Sequence, residues 1–487
     1  MPGKRYLLTT IAVTALLLAV TGCGGSGNSL SFPPPQGGST NADFSGPFAF
    51  SYTGSDGGGF LAAAGSFQAD GAGHITSGAE DINLNISTGP IVNAPVTGTY
   101  VVRADGRGSI TLNSPAGNTS LDFVLVAGGH ALVTRFDANG TGSGTIDQQT
   151  TSAFTNTALA GSFAFSLSGI DTGGIPLGVA GNFTSDATGT LTAGVDDSNE
   201  NGVAVTSDPM TGSIPVTASG RGTATLNTSR GALHFAFYVV DANHLKVVGI
   251  DSLPALGGEA FRQTGAFSNA SLTGPFAFTL AGADVLSASP FAAGGILTSD
   301  GAGTISSGSE DFNDAGSIST NIGLTGTYNV AANGRGTLTM ASALGTFTFV
   351  LYPSSGGVLV LETDARFLSS GTALQQTGTF SNATLTGTYG MNFSGATSNG
   401  EFDTIAQFTS DGVSKLSGIT DLNNVGATTF GQPITGTFSA ASNGRTTMLV
   451  QTPLGAQNLV VYMVDGTRAL FVEIDPAAIA AGDIRHQ

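Results

Sequence analysis

The stretch "TSDGAGTISSGSEDFN", Thr298 to Asn313, decides the fold because close copies of it occur three more times in the chain. The copies are "QADGAGHITSGAEDIN" from Gln68, "TSDATGTLTAGVDDSN" from Thr184 and "TSDGVSKLSGITDLNN" from Thr409. Each copy places a turn signal between two alternations of apolar and polar residues, which is typical of paired strands. A segment that returns in this way indicates a repeated module.

The sequence around these copies repeats as well. "SGPFAF" at Ser45 returns in altered form at Ala160, Thr273 and Thr386. A second repeat, "TGTYVVRADGRGSITL" from Thr97, also returns three times. Further along the chain, each of these repeats is followed by a final strand pattern that closes with Gln. The repeats predict four modules, at residues 41–150, 151–264, 265–377 and 378–487.

Each module contains about eight strand patterns joined by short turns, which favours an all-β, up-and-down antiparallel barrel. In outline such a module resembles lipocalins and avidins. An immunoglobulin-like sandwich is the alternative, although a chain with one Cys and no Trp lacks the Cys and Trp framework of true immunoglobulin domains. An even number of strands starts and ends at the same rim, so short links predict barrels that cluster or zigzag.

Asp-Gly pairs mark the expected hairpin turns. Asp70-Gly71, Asp300-Gly301 and Asp411-Gly412 predict type I′ turns, which need positive φ at both central residues. Asp186-Ala187 lacks the glycine, so the second module is expected to have a different turn there. The same device recurs one hairpin later, for example at Asp105-Gly106.

The start of the chain has the features of an export signal. Lys4 and Arg5 precede an apolar stretch, "YLLTTIAVTALLLAV", that is short for a permanent span. The stretch ends in "VTGC", which resembles the lipobox of bacterial lipoproteins. That resemblance implies a signal peptide at residues 1–22, cleavage between Gly22 and Cys23, and lipidation of Cys23. The alternative is an ordinary secretory signal that happens to be followed by Cys.

A Gly, Ser and Pro segment, residues 23–40, follows the signal and predicts a flexible tether. Gly24 stands where an inner-membrane retention signal would place Asp, so we expect sorting to the outer membrane. The net charge of −18 repels phosphate backbones and argues against nucleic-acid binding. The predicted contact with the membrane is therefore the lipid anchor.

A repeated D-x-N element follows the Asp-Gly turn. Its four copies are Asp81/Asn83, Asp197/Asn199, Asp311/Asn313 and Asp421/Asn423. Asp and Asn at strand ends commonly form side-chain turns, which is the favoured interpretation. In the second module the pattern extends through Asn201-Gly202 to Asp208, which matches the ligand spacing of a calcium loop but lacks its flanking helices. We expect no metal site.

One arginine recurs in every module, at Arg107, Arg221, Arg335 and Arg445. The favoured hypothesis pairs each arginine with a repeated acid of its own module; the alternative is an anion-binding group. His74 occurs only in the first module, with other residues at the matching positions, while His130 and His244 occupy the same loop position in modules 1 and 2. None of them lies in a recognised nucleophile, metal or phosphate motif, so the sequence predicts no enzyme and no cofactor.

These observations predict a lipid-anchored protein of the cell envelope whose modules serve a structural, adhesive or interaction role. The alternative is a carrier that holds small apolar ligands inside its barrels. The interior separates the two, since a carrier needs a cavity. Bulky inward residues such as Phe276 and Phe278 favour a filled interior.

Overall fold

The computed structural model describes residues 38–84 and 89–487, which form four antiparallel β-barrels and a few short helical turns. The signal peptide, Cys23 and most of the tether lie outside the described residues. Within the described part, none of the helices has the length and apolar character needed to cross a membrane. The helical turns are Asn41–Asp43, Thr151–Ala153, Asn156–Leu159, Thr172–Gly174, Asn269–Leu272 and Asn382–Thr384.

Barrel 1 (residues 45–148) contains nine strands, because its fourth strand is split in two. β3 pairs with β2, β4 and β5, so that the barrel closes through β3 while β4 extends the hairpin outwards. The strands are β1 Ser45–Asp56, β2 Gly59–Asp70, β3 His74–Leu84, β4 Ile91–Pro95, β5 Thr97–Val102, β6 Arg107–Ser114, β7 Gly117–Val126, β8 His130–Asp137 and β9 Gly140–Gln148.

Barrel 2 (residues 161–263) has the same split, and a single bridge between Thr190 and Ser213 closes it. Its strands are β10 Gly161–Asp171, β11 Ile175–Ser185, β12 Leu191–Glu200, β13 Val203–Pro209, β14 Thr211–Ser213, β15 Arg221–Thr228, β16 Gly231–Asp241, β17 His244–Gly249 and β18 Ala255–Gln263.

Barrels 3 (residues 273–375) and 4 (residues 386–486) are closed barrels of eight strands each. Barrel 3 comprises β19 Thr273–Asp284, β20 Ser289–Asp300, β21 Thr304–Asp314, β22 Ser317–Val330, β23 Gly336–Ser342, β24 Gly345–Ser354, β25 Gly357–Glu362 and β26 Phe367–Gln375. Barrel 4 comprises β27 Thr386–Thr397, β28 Gly400–Asp411, β29 Lys415–Asn424, β30 Ala427–Ala440, β31 Arg445–Thr452, β32 Gly455–Met463, β33 Arg468–Glu473 and β34 Ala478–His486.

The all-β prediction and the up-and-down barrel are confirmed, and the immunoglobulin-like sandwich is wrong. Apart from the split strand of barrels 1 and 2, consecutive strands pair around each barrel, and the last strand returns to the first, as β26 does to β19. In β19, Phe276, Phe278 and Leu280 point into the core of barrel 3. Ala277 points outwards yet is fully buried, because a neighbouring barrel covers it. This double burial explains why the strands are so poor in charge.

The prediction of type I′ turns is wrong. At the first turn, positive φ occurs at Gly71 and Gly73 but not at Asp70. Asp70 instead accepts hydrogen bonds through Oδ1 from the backbone N–H groups of Ala72 and His74. Asp186 binds its own loop in the same way, but the backbone of this turn differs as expected, because Ala187 does not have the positive φ of Gly71. The aspartate fixes these loops through its side chain.

The four barrels form a closed cycle of contacts. Apolar clusters join barrel 1 to barrel 2, barrel 2 to barrel 3, and barrel 3 to barrel 4. A fourth cluster, Val124, Val126, Leu132 and Ile405, joins barrel 4 back to barrel 1. We call this 4–1 interface the seam, because within the described residues no linker joins barrel 4 to barrel 1, whereas the barrels of the other three pairs are consecutive in the chain. Of the two predicted arrangements, the barrels therefore adopt the clustered one, as a ring.

Candidate functional site: the clamp between barrels

A buried Asp–Arg–Tyr group holds barrel 2 against barrel 3. Asp197 lies on β12, and its carboxylate is fully buried. Arg335 donates to it through Nε at 2.8 Å and through Nη2 at 2.6 Å. The hydroxyl of Tyr352, on β24, donates to the same carboxylate. Two-pronged arginine bonds to a carboxylate combine charge with fixed geometry, so this group sets the relative position of the two barrels.

The same group recurs at two further interfaces. Between barrels 1 and 2, Arg221 donates to Asp81 at 2.8 and 2.7 Å, and Tyr238 donates to it at 2.5 Å. Between barrels 3 and 4, Arg445 and Tyr462 bind Asp311 in the same way. We call this group, together with the asparagine and glutamine contacts described below, the clamp.

The electrostatics of the clamp keep it charged. Hydrogen bonding to Asp197 raises the pKa of Arg335, which outweighs the lowering effect of burial. Burial raises the pKa of Tyr352, and the nearby Asp197 carboxylate raises it further. The tyrosine therefore remains a hydrogen-bond donor and the arginine remains a cation. Each buried carboxylate is compensated, as a buried charge must be.

The prediction that each arginine pairs within its own module is wrong for three of the four. Arg221, Arg335 and Arg445 bind an acid of the preceding barrel. Arg107 alone binds an acid of its own module, Asp105, in addition to one across the seam. The repeats identify the Asp and Arg positions that pair, but they do not show which barrel supplies the Asp. An alignment of one module with another does not tell which modules are in contact.

The asparagine of the D-x-N element bridges barrels as well. Asn199 Oδ1 accepts a bond from Gly202 N–H at 2.8 Å, which fits the predicted turn. Its Nδ2 donates to the carbonyl oxygens of the next barrel, at 3.0 Å for Glu362 and 3.1 Å for Phe367. The purely local interpretation is therefore incomplete. Asn83, Asn313 and Asn423 reach the matching carbonyls of barrels 2, 4 and 1.

The last glutamine of each module completes the clamp, a role that was not predicted from the sequence. Gln263 Nε2 donates to the Pro353 carbonyl of barrel 3 at 2.9 Å. Gln149, Gln376 and Gln487 donate to the corresponding carbonyls of Val239, Met463 and Leu125. The signal was present in the sequence, since the last strand pattern of every module closes with this residue type.

The residues of the candidate calcium loop have other partners. The carboxylate of Asp197 accepts from Arg335, Tyr352 and Ser207 N–H. Asp208 lies on the next strand and accepts from both the N–H and the hydroxyl of Ser229. The oxygen atoms that would bind calcium thus serve two different parts of the fold. The expectation that calcium is irrelevant stays a prediction.

A compact cluster of charges lies where barrels 1 and 2 meet. Lys246 is fully buried on β17, and its ammonium lies 2.6 Å from Asp147 Oδ2 and 3.1 Å from Glu259 Oε1. Burial alone would lower the pKa of Lys246, but these two carboxylates outweigh it and raise that pKa. His130 binds Asp147, and His244 lies 3.5 Å from Glu259. The histidines that share a loop position thus serve one ionic cluster, whereas His74 pairs with Asp70 at an exposed turn.

This cluster is the part of the described chain that comes nearest to a metal centre. Atoms of Asp147, His244 and Glu259 that could ligate a metal lie within 4.8 Å of one another. The Lys246 ammonium already contacts both carboxylates from within the group. A divalent ion would have to displace or repel that buried cation, so the donor set fits an ion pair better than a metal.

The barrel interiors are filled by side chains. Barrel 3 contains a cavity of about 50 Å³, lined by residues such as Phe276 and Phe278. The cavity in barrel 2 is about 30 Å³. Large apolar clusters likewise occupy barrels 1 and 4. An open groove of about 500 Å³ instead lies on the outside, between barrels 3 and 4, with Leu297, Ser309 and Phe380 among its lining residues.

No protein-family description and no curated protein sequence matches the chain. Among solved structures, a mutant transferrin-binding protein B of Haemophilus parasuis is 11% identical over 75% of this chain and 85% of its own, with a TM-score of 0.19. Transferrin-binding protein B of serogroup B Neisseria meningitidis has the same identity and coverage, with a TM-score of 0.20. Kievitone hydratase of Nectria haematococca is 10% identical over 69% of this chain and 92% of its own, with a TM-score of 0.19. Scores this low carry no inference about this chain.

Proposed function

We propose that the chain is a lipid-anchored protein of the bacterial envelope whose four barrels act as one interaction scaffold. The anchor rests on the lipobox-like "VTGC" that ends at Cys23 and on the tether after it. Diacylation at one cysteine supplies more than one acyl chain, which stable anchoring requires. The tether then holds the ring near the membrane without inserting it.

The filled barrel interiors are the observation that favours a scaffold over a carrier. Ligand pockets for small molecules are commonly about 300–1,000 Å³, whereas the cavities in barrels 2 and 3 are about 30 and 50 Å³. A carrier would have to open cores that are packed with phenylalanine and leucine. The outer surface, including the groove between barrels 3 and 4, is therefore the proposed place for a partner.

The clamp supports a scaffold because it fixes the barrels to one another. Each of the three linked interfaces buries a compensated Asp–Arg–Tyr group and an apolar cluster. Polar networks that are fully satisfied make an arrangement rigid and unique. A rigid ring presents surface groups at constant separations, which favours binding of an extended partner.

The anchor is tested with Cys23→Ser. This variant should leave the membrane fraction on mild washing, or remain as an unprocessed precursor, while the control Ser29→Ala in the tether stays bound. Fractionation and mass spectrometry of the N-terminal peptide measure both outcomes. A processed Cys23→Ser protein that is retained as strongly as the parent contradicts the lipoprotein proposal.

The scaffold is tested separately with two variants of the anchored chain. Val358→Phe fills the cavity of barrel 3, and Thr379→Arg blocks the outer groove that Thr379 lines. Cross-linking in intact envelopes should yield a partner adduct that the interior variant retains and the groove variant loses. Saturable binding of the apolar dye 1-aminoanthracene that Val358→Phe abolishes would instead establish a carrier.

A further inference from the structure

The seam differs in composition from the three linked interfaces at matching positions. Asp122, on β7, stands where the other interfaces have Ala236, Val350 and Val460. Asp403, on β28, stands where they have Ala62, Gly178 and Ala292, each paired with the asparagine of the clamp. Two carboxyl groups thus replace small apolar side chains.

The clamp itself is weaker at the seam. Val124 occupies the position of the tyrosine, so no hydroxyl from this position reaches Asp421. Arg107 makes one contact with Asp421, at 3.0 Å, and turns its Nε to Asp105 of its own barrel. The apolar cluster has four buried residues, compared with six to ten at the other interfaces.

The carboxyl groups of the seam are buried with little compensation. Asp403 is fully buried, and it accepts a hydrogen bond from the Thr141 hydroxyl at 2.6 Å. Its Oδ1 has no hydrogen-bond partner among the described residues. Glu401 lies beside it and contacts Ser394. Asp122 is 5% exposed, and one of its oxygens also lacks a partner in the described chain.

Other charged groups surround these acids on both sides of the seam. Barrel 1 contributes Arg103 and Arg107 near Asp122, and the Arg135–Asp137 pair behind Thr141. Barrel 4 contributes Asp421, whose negative charge adds to that of Asp122. The acids form two groups: Asp122 lies near Asp421, and Asp403 lies near Glu401. Asp105 also binds Arg107.

We infer that the seam is a pH-sensitive latch: the ring is closed when its buried acids are protonated, and it opens between barrels 4 and 1 when they ionise. This inference is independent of the proposed function. Two or more carboxylates in one desolvated site repel each other and cannot all be ionised without water. Separation of the two barrels supplies that water, and the three other interfaces, with their linkers, keep the molecule together.

The direction follows from the shifts. Burial, and then the charge of Asp421, raises the pKa of Asp122 to about 7. Burial, and then Glu401, raises the pKa of Asp403 well above its usual range. A raised pKa in the closed state means that the stabilisation is complete below the unfolded value of about 4 and is lost as the pH rises through the folded value. The latch therefore weakens from mildly acidic to neutral and alkaline pH.

Spin labels across the seam test the inference in the soluble Cys23→Ser chain. The tip of the barrel 4 hairpin, Val425-Gly426, lies against Ala138 of barrel 1, so the pair Val425→Cys and Ala138→Cys reports on the seam. The matched control is Asn201→Cys with Ala365→Cys, because Gly202 lies against Ala365 at the 2–3 interface. Asn201 and Val425 both have positive φ, which makes the two pairs equivalent.

At about pH 5, double electron–electron resonance should give one short distance between the two labels of each pair. At about pH 8 only the seam pair should gain a second population with a longer distance. The double variant Asp122→Val and Asp403→Ala, which introduces the residues found at Val350 and Ala292, should abolish that change. Ala292→Asp should in turn create a pH-dependent population at the 3–4 interface. Seam distances that are the same at both pH values, or that change equally in the double variant, overturn the latch; circular dichroism confirms that each variant is folded.

Discussion

The interface between barrels 2 and 3 and the seam between barrels 4 and 1 are built on the same positions but have different chemistry. At the first, Asp197 accepts from Arg335 twice and from Tyr352 once, beside an apolar cluster. At the second, the tyrosine is replaced by Val124 and apolar positions are occupied by acids. The asparagine and glutamine contacts are present in both.

The difference teaches that backbone recognition and side-chain charge pairing are separable here. Amide-to-carbonyl contacts define which surfaces meet, because they recur at every interface. Buried charge pairs and apolar area then set how strongly the surfaces hold. The linked interfaces hold through paired charges and apolar area, while the unlinked one also contains buried acids without such pairing, whose contribution changes with ionisation.

The largest expected effect is that of Arg335→Ala in the full ring. It leaves the fully buried Asp197 without its cation, and breaking a buried pair costs about 3–5 kcal/mol. Arg107→Ala should cost less, because Arg107 makes a single hydrogen bond across the seam. Denaturant unfolding of the soluble chain measures both. Equal losses would show that the two interfaces are equivalent after all.

The next effect is the pH dependence caused by Asp122. Its pKa of about 7 means that the folded state loses stability between about pH 4 and pH 7. Asp122→Val, which introduces the residue of Val350, should remove up to about 4 kcal/mol of that dependence, the value of a shift of about three units. Unfolding midpoints across this range measure it. A slope identical to that of the parent contradicts the assignment.

Tyr352→Phe should have a smaller effect. The substitution removes one hydroxyl from a charged acceptor while it preserves the packing, which costs about 1.5–3 kcal/mol. It makes the 2–3 interface more similar to the seam, where Val124 supplies no hydroxyl. The test is the unfolding midpoint relative to Tyr328→Phe, a hydroxyl removed inside barrel 3. If only the control is destabilised, the clamp hydroxyl has no role.

Calcium should have no effect at all. A bound ion would stabilise the native state by mass action, so excess chelator should leave the unfolding midpoint unchanged. A downward shift that Asp197→Asn removes would establish the segment from Asp197 to Asp208 as a metal site. This measurement compares the second module with the other three, which lack the extended pattern.

The sequence predicts the barrels well because period-two alternation and repeated turns are local signals. It even indicates the strands of barrel 3 around Phe276 and Phe278. It fails on the partners of Arg221 and Asn199, since both bind across an interface that no single module contains. The latch could not be predicted for a related reason: Asp122 and Asp403 become unusual only after their matching positions are known to be buried between barrels.

The asparagine and glutamine contacts that recur between neighbouring barrels also have a geometric consequence. If each barrel is related to the next by one rotation, and the fourth meets the first through the same asparagine and glutamine contacts, each step must turn by about 90°. Loss or gain of one repeat by unequal recombination would then leave a gap or an overlap in place of a seam. The copy number of the module is thus a geometric constraint on its evolution.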